Sequence, residues 1–117
     1  MELCPHTKQS VYLLNGINTE ICVIKFSDTI LVSLNQINKI GTILLAKQPP
    51  NLFEDSDATP IISTLLGKDD PATHLYARAL VEQIPKQYSL VLFLGLKSHI
   101  PEDVKLVVKM FRENMLF

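Results

Sequence analysis

The stretch that decides the fold reads Thr64-Leu65-Leu66-Gly67-Lys68-Asp69-Asp70-Pro71 and continues from Ala72 to Ile84. This pattern predicts the end of a strand, a tight polar turn and the start of a helix. Gly67 can adopt a positive φ angle and let the chain leave a sheet sharply. Asp70 is a good N-cap residue, and Pro71 suits the first helical position, where its missing N–H costs nothing.

The helix after this turn is predicted to end before Pro85, because the residue that precedes a proline avoids the α region. Its apolar residues recur at helical spacing, which predicts one buried face. That face comprises Ala72, Leu75, Tyr76, Ala79, Leu80 and Ile84. A phosphate site at the turn is excluded, because the spaced glycines and the Lys-Ser/Thr pair of a P-loop are absent. Asp69 and Asp70 would also repel a phosphate from this helix N-terminus.

The composition predicts one well-cored domain over residues 1–117. The chain is 47% hydrophobic and 20% charged, and its formal net charge is −1. This charge gives no support to a nucleic-acid or membrane-surface partner. Its two cysteines, Cys4 and Cys22, lie at no metal-ligand spacing, and we recognise no secretory signal or membrane-spanning run. We therefore expect a cytoplasmic and also nuclear location, and no metal or cofactor.

The remaining elements follow from turn residues and alternation of apolar residues. Strands are predicted over residues 9–14, 19–26, 29–37, 42–47, 61–66 and 88–96, with Asn15-Gly16 as a hairpin turn and 48–60 as a long loop. The first four strands should form a meander. The continuous apolar run at 90–94 predicts a central strand that is buried on both faces. The last helix begins near Pro101. Its stripe comprises Val104, Val107, Val108, Phe111 and Met115.

The predicted fold class is therefore α+β, with a mostly antiparallel six-stranded sheet and two helices on one face. The order of elements is β-β-β-β-β-α-β-α. If Asn38 pairs with Thr42, alternate residues of the third and fourth strands line the face away from the helices. These residues are Leu31, Ser33, Asn35, Ile37, Ile43 and Leu45, followed by Lys47.

This second face is too apolar for a solvated one. Each large aliphatic side chain left exposed on this face loses about 1.5–3 kcal/mol of the stabilisation that burial would give. We therefore expect a protein partner to cover it. The alternative is that the loop 48–60 folds over the face, with Leu52 and Phe53 as its cover.

Catalytic signals are weak. The sequence has no Gly-x-Ser-x-Gly elbow, no metal-spaced His/Cys cluster and no Gly-rich phosphate loop. These absences predict that the protein is not an enzyme. The alternative is a small enzyme that uses His74 with the acids at Asp69 and Asp70.

Several short blocks resemble the proteasome assembly chaperone 3 family. One block is Phe26-Ser27-Asp28-Thr29-Ile30-Leu31-Val32, and the next is Gln36-Ile37-Asn38-Lys39-Ile40-Gly41-Thr42. The most specific block is Leu65-Leu66-Gly67-Lys68-Asp69-Asp70-Pro71, followed by His74-Leu75-Tyr76-Ala77-Arg78 and Leu80-Val81. Asp70 stands where the family commonly has Glu, which keeps the capping chemistry.

The resemblance implies a small α+β chaperone without a cofactor. It implies pairing with a related chain, proteasome assembly chaperone 4, or with a second copy. It also implies that the pair escorts α-type subunits of the 20S proteasome while their ring forms. The polar turns that carry Lys39, Lys68 and Asp69 are candidate contacts for such a subunit, and the alternative is that they are ordinary solvated turns. A profilin-like or longin-like interaction domain, which also layers helices on an antiparallel sheet, is the alternative.

Overall fold

The structure is a computed structural model that describes residues 6–36, 41–48, 60–97 and 100–115. Its strands are β1 (His6–Leu14), β2 (Ile17–Lys25), β3 (Thr29–Gln36), β4 (Thr42–Lys47), β5 (Ile61–Leu66) and β6 (Ser89–Gly95). Helix α1 spans Pro71–Val81, and a single 3₁₀ turn at Pro101–Asp103 leads into helix α2 (Val104–Glu113). The predicted α+β class and the order of elements are confirmed.

The six strands form one mixed sheet in the order β1-β2-β3-β6-β4-β5. The β3–β6 ladder is parallel and the other ladders of the described strands are antiparallel. The predicted pairing of β3 with β4 is wrong, because β6 lies between them. Thr42 therefore faces Leu94 of β6, and its expected partner Asn38 lies outside the described residues. The apolar run of β6 explains the insertion, because the centre of a sheet is the place that buries such a strand best.

Both helices pack on one face of the sheet. Helix α1 contacts β4 and β6, α2 contacts β2, and the two helices contact each other. The core beneath them takes alternate residues of the central strands. These include Ile21, Val23, Ile30, Val32, Leu34, Leu44, Leu90 and Leu92, which are fully buried. Strand β6 is central, as predicted, but only this face of it is fully buried.

The buried stripe of α1 differs from the predicted one by a rotation of the helix. Thr73, Ala77 and Val81 are buried beside Tyr76 and Leu80, whereas Leu75 is 44% exposed. Tyr76 and Leu80 belong to both stripes, and the Tyr76 hydroxyl donates a 2.7 Å hydrogen bond to the Ile100 carbonyl. The prediction for α2 holds better. Val107 and Phe111 are buried, and Val104, Val108 and Met115 pack partly buried against the core.

The turn between β5 and α1 forms as its residues predict. The Asp70 carboxylate accepts a 3.0 Å hydrogen bond from the Ala72 N–H, and Pro71 opens the helix. Gly67 has a φ angle of 98°, and a Cβ there would lie 2.9 Å from Thr42 Oγ1. Strands β5 and β6 run parallel on either side of β4, so the decisive stretch is the first half of a split β-α-β unit.

Side-chain hydrogen bonds of two asparagines connect α2 and the turn before it to β1 and the β1–β2 turn. Asn114 is fully buried, donates to Tyr12 Oη at 2.9 Å and to the Met110 carbonyl, and accepts from Ser10 Oγ at 2.8 Å. The hairpin turn adds a second link, because Asn15 Nδ2 donates to Asp103 Oδ2 at 2.7 Å just before the helix. Satisfied buried polar groups of this kind fix one arrangement of the elements.

Candidate interaction surfaces

The sheet face opposite the helices, which we call the far face, carries aligned rows of apolar side chains. One row crosses β2, β3, β6 and β4 through Cys22, Ser33, Phe93 and Ile43. The next row passes through Ile24, Leu31, Val91 and Leu45. All eight side chains are only partly buried. Neither described helix covers this face.

Exposed apolar side chains also occur on both edge strands of the far face, although the β1 residues opposite Cys22 and Ile24 are the polar Gln9 and Thr7. Val11 and Leu13 on β1 are 62% and 73% exposed. Ile61 and Leu66 on β5 are 64% and 61% exposed. The ladders place all four on the far face, because Val11 lies opposite Glu20 and Leu66 lies opposite Ile43. Exposed apolar surface in the middle of a sheet face is typical of protein interfaces.

The structure brings together the predicted interface residues of the described part. Leu31, Ser33 and Asn35 lie on the far face with Ile43 and Leu45, whereas Ile37 lies outside the described residues. Their assignment to an interface stays a prediction. The alternative cover by Leu52 and Phe53 also falls outside the described residues.

The sequence interpretation missed the far-face residues contributed by β6 and β2. Val91 and Phe93 occupy the middle of the face, and Cys22 and Ile24 lie two strands away on β2. Both stretches are apolar at consecutive positions, so the sequence does not show which residues face away from the helices, and the place of Val91 and Phe93 depends on β6 lying between β3 and β4. Cys22 is a free thiol whose pKa is raised, first by burial and then by the nearby Glu20 carboxylate.

A polar cluster forms where β5 meets α1. His74 Nε2 lies 2.7 Å from Asp69 Oδ1, and the Thr64 hydroxyl donates to the same carboxylate oxygen at 2.9 Å. These hydrogen bonds, the one from Thr64 first, lower the pKa of the Asp69 carboxyl. Thr64 Oγ1 and Asp69 Oδ1 both approach Nε2 of His74. A nucleophile–base–acid relay needs the acid on the other ring nitrogen, so this cluster lacks triad geometry.

A groove of about 530 Å³ lies beside this cluster, between β5 and α1. It is lined by Pro60, Ile62, Asp69, Pro71, His74, Leu75 and Arg78. The neighbouring turn exposes Lys68 together with Asp69, and their role as subunit contacts stays a prediction. Lys39 lies outside the described residues.

The residues that the structure describes include no group of three or more His, Cys, Asp or Glu side chains that could hold a metal ion. None of their helices is both long and apolar enough to cross a membrane.

The fold and its far face define a small α+β domain with an uncovered apolar sheet surface. Sequence comparison then assigns the family: the sequence profile of "Proteasome assembly chaperone 3" matches residues 32–114. The chain is 33% identical to the Bos taurus protein of that name over 104 residues, covering 85% of this chain and 84% of the bovine one. It is 30% identical to the Mus musculus protein over 111 residues, with 91% and 89% covered. This chain belongs to the proteasome assembly chaperone 3 family.

The fold is also similar to that of a solved protein. A chain in a crystal structure of a novel chaperone complex for yeast 20S proteasome assembly superposes with a TM-score of 0.62. It shares 18% sequence identity with this chain, and the match covers 92% of this chain and 97% of the yeast one. The likeness concerns the fold.

Proposed function

We propose that this protein is an assembly chaperone of the 20S proteasome that acts as one half of a chaperone pair. Its partner is a related chain of the proteasome assembly chaperone 4 kind, or a second copy of itself. The pair binds α-type subunits and promotes formation of their ring. The observation that carries the pairing is the far face, whose apolar rows run across all four inner strands without cover from α1 or α2.

The dimensions of the far face suit a specific interface. Six strands at a spacing of about 4.8 Å give a width of about 29 Å, and strands of this length give about 20–25 Å in the other direction. The footprint is therefore on the order of 600 Å², close to the contribution of one partner to a standard interface. The exposed Asn35 and Lys47 lie at opposite ends of the apolar rows and would supply polar contacts at the rim.

The second surface of the proposal is the turn that carries Lys68 and Asp69. It lies away from the far face, so a paired chaperone can still present it to an α-type subunit. Asp69 is held by Thr64 and His74, which gives the turn a defined shape before binding. Such a contact is polar and small, which suits a chaperone that must release its subunit.

The proposal includes no covalent chemistry. The Thr64, Asp69 and His74 cluster stabilises the turn rather than activating a nucleophile, because its acid and hydroxyl share one ring nitrogen. A His74→Ala variant should therefore retain chaperone function, whereas an enzyme that used His74 would lose its activity. A cytoplasmic and nuclear location fits the free thiol of Cys22, which persists in reducing compartments.

Thiol protection tests the pairing directly. In a Cys4→Ser variant, Cys22 is the remaining cysteine and lies on the far face. We expect maleimide to label Cys22 slowly in the paired state and quickly after dilution to monomers. Equal labelling rates at all concentrations, with and without the related chain, would contradict pairing through this face.

Affinity purification tests whether the protein binds proteasome α-type subunits. Proteasome α-type subunits should co-purify with the wild-type chain from cells. Recovery of trafficking or actin partners in their place would favour the longin-like or profilin-like alternative.

A further inference from the structure

We propose that β5 and the groove beside it form a docking site for an extended, acidic segment of a protein partner. The segment would add to the open edge of β5 as a further strand and bring a carboxylate to Arg78. This site lies on the helix side of β5 and does not depend on the pairing proposed above.

The first observation is an edge of the sheet with which no other described strand pairs. Strand β5 is the last strand of the sheet and pairs with β4 on one side. Its sequence, Ile61-Ile62-Ser63-Thr64-Leu65-Leu66, contains no charged residue and no proline. Edge strands normally carry such residues, because unpaired N–H and C=O groups otherwise recruit another strand. The opposite edge follows this rule, since β1 carries Lys8.

The second observation is the shape of the groove. Ile62 of β5 and Leu75 of α1 both line it, together with Pro60 and Pro71. Leu75 is 44% exposed although the helix pattern marks it for burial. A strand added to β5 would lie about 4.8 Å further out and direct alternate side chains toward Leu75. Main-chain hydrogen bonds would then provide affinity and the groove would select side chains, as in other strand-addition complexes.

The charged side chains that line the groove indicate the chemistry of the segment that would bind there. The groove has Asp69 and His74 at one end and Arg78 at the other, one helical turn further along α1. Asp69 is already engaged by His74 and Thr64. Arg78 is exposed and makes no ion pair within the described ranges. A guanidinium beside an apolar wall is suited to a carboxylate, which it can bind through two parallel hydrogen bonds.

Peptide binding to the full chain tests this proposal. The probe is a short, fluorescein-labelled peptide of alternating Val and Thr with one Glu. Its matched partners carry Gln in place of Glu, or Pro at the centre of the strand. We expect the Glu peptide to bind about tenfold more tightly than the Gln peptide, as one charge-assisted bidentate contact allows. The Pro peptide should not bind, because it cannot continue the ladder.

Two variants assign the contact. Arg78→Gln should remove the preference for Glu, whereas the control Lys86→Gln, which removes an exposed cation just after α1, should retain it. Hydrogen exchange of the amides of Ile61–Leu66 should slow when the Glu peptide binds. These readouts together locate the peptide on β5.

Several outcomes would overturn the proposal. They are equal binding of the Glu and Gln peptides, equal effects of Arg78→Gln and Lys86→Gln, unchanged exchange in β5, or no binding of any peptide. Binding that appears only after Glu54, Asp55 and Asp57 are replaced by amides would instead assign the groove to the chain's own acidic segment. Self-association that Ser63→Pro abolishes would assign the edge to a second copy.

Discussion

Replacing Leu31 by Asp is the sharpest test of the far face. Leu31 lies near the centre of the face, between Ile24 of β2 and Val91 of β6. It is partly exposed in the single chain, so an aspartate there can still reach water. The unfolding free energy of the monomer should therefore fall by only about 1 kcal/mol, the usual span of strand preferences.

The effect on pairing should be much larger. A partner that covers the face would lose about 1.5–3 kcal/mol of leucine burial. It would also have to desolvate an unpaired carboxylate, which adds at least a few kcal/mol. A total loss of about 4 kcal/mol in binding free energy raises the dissociation constant of the pair roughly a thousandfold. A homodimer carries the change in both copies and should weaken further.

Sedimentation velocity at micromolar concentration, with the chain alone and with its related partner, measures this change. Leu106→Asp is the matched control, because Leu106 is 49% exposed on α2, on the other side of the sheet. Both variants should unfold cooperatively, and only Leu31→Asp should shift the population to monomers. The reasoning is refuted if Leu31→Asp pairs as tightly as Leu106→Asp, or if the wild-type chain stays monomeric under both conditions.

Three further predictions concern the fold and the turn. In urea titrations, Gly67→Ala should lower the free energy of unfolding by about 1–3 kcal/mol more than Gly16→Ala does. Both glycines have a positive φ, but of these two only Gly67 would place a new Cβ 2.9 Å from Thr42 Oγ1. Equal losses in the two variants would contradict a steric clash with Thr42. Asn114→Ala should cost about 2–3 kcal/mol in the same assay, because it leaves buried polar groups unpaired, and a loss below about 1 kcal/mol would contradict this role. The pKa of the Asp69 carboxyl, measured by NMR, should lie below 3.8 and rise in His74→Ala. Because the folded pKa is lowered, its contribution to stability is complete above 3.8 and is lost as the pH falls through the folded value, and Asp69→Asn should remove this dependence.

Local chemistry made the turn predictable. Gly67, Asp70 and Pro71 each act through their own backbone preferences, so the strand, turn and cap could be derived without knowing the rest of the fold. The position of β6 could not be derived in this way. A short segment joins β3 and β4, and no local sequence feature shows that a later strand lies between them. The exact buried face of α1 was missed for a similar reason, since it depends on packing against β4, β6 and α2, and the sequence does not show how these elements lie around α1.

The far face was nevertheless assigned correctly despite the wrong pairing. Side chains alternate between faces with period two, and opposite residues in neighbouring strands share a face. Inserting β6 between β3 and β4 therefore preserves the grouping of Leu31 with Leu45 and adds Val91 between them. The sequence thus identifies which residues share a surface more securely than it identifies which strands are neighbours.

The two proposed surfaces have separate consequences because they lie on opposite sides of the sheet. Leu31 and Phe93 face away from the helices, whereas Ile62 and Arg78 line the groove on the helix side. Strand β5 belongs to both, since Ile61 and Leu66 extend the far face while Ile62 faces the groove. One chain can therefore hold a companion and still offer an edge to a segment of another protein. Arg78→Gln should leave pairing intact, and Leu31→Asp should leave peptide binding intact; a variant of one surface that also abolished the other would show that the two are coupled through β5.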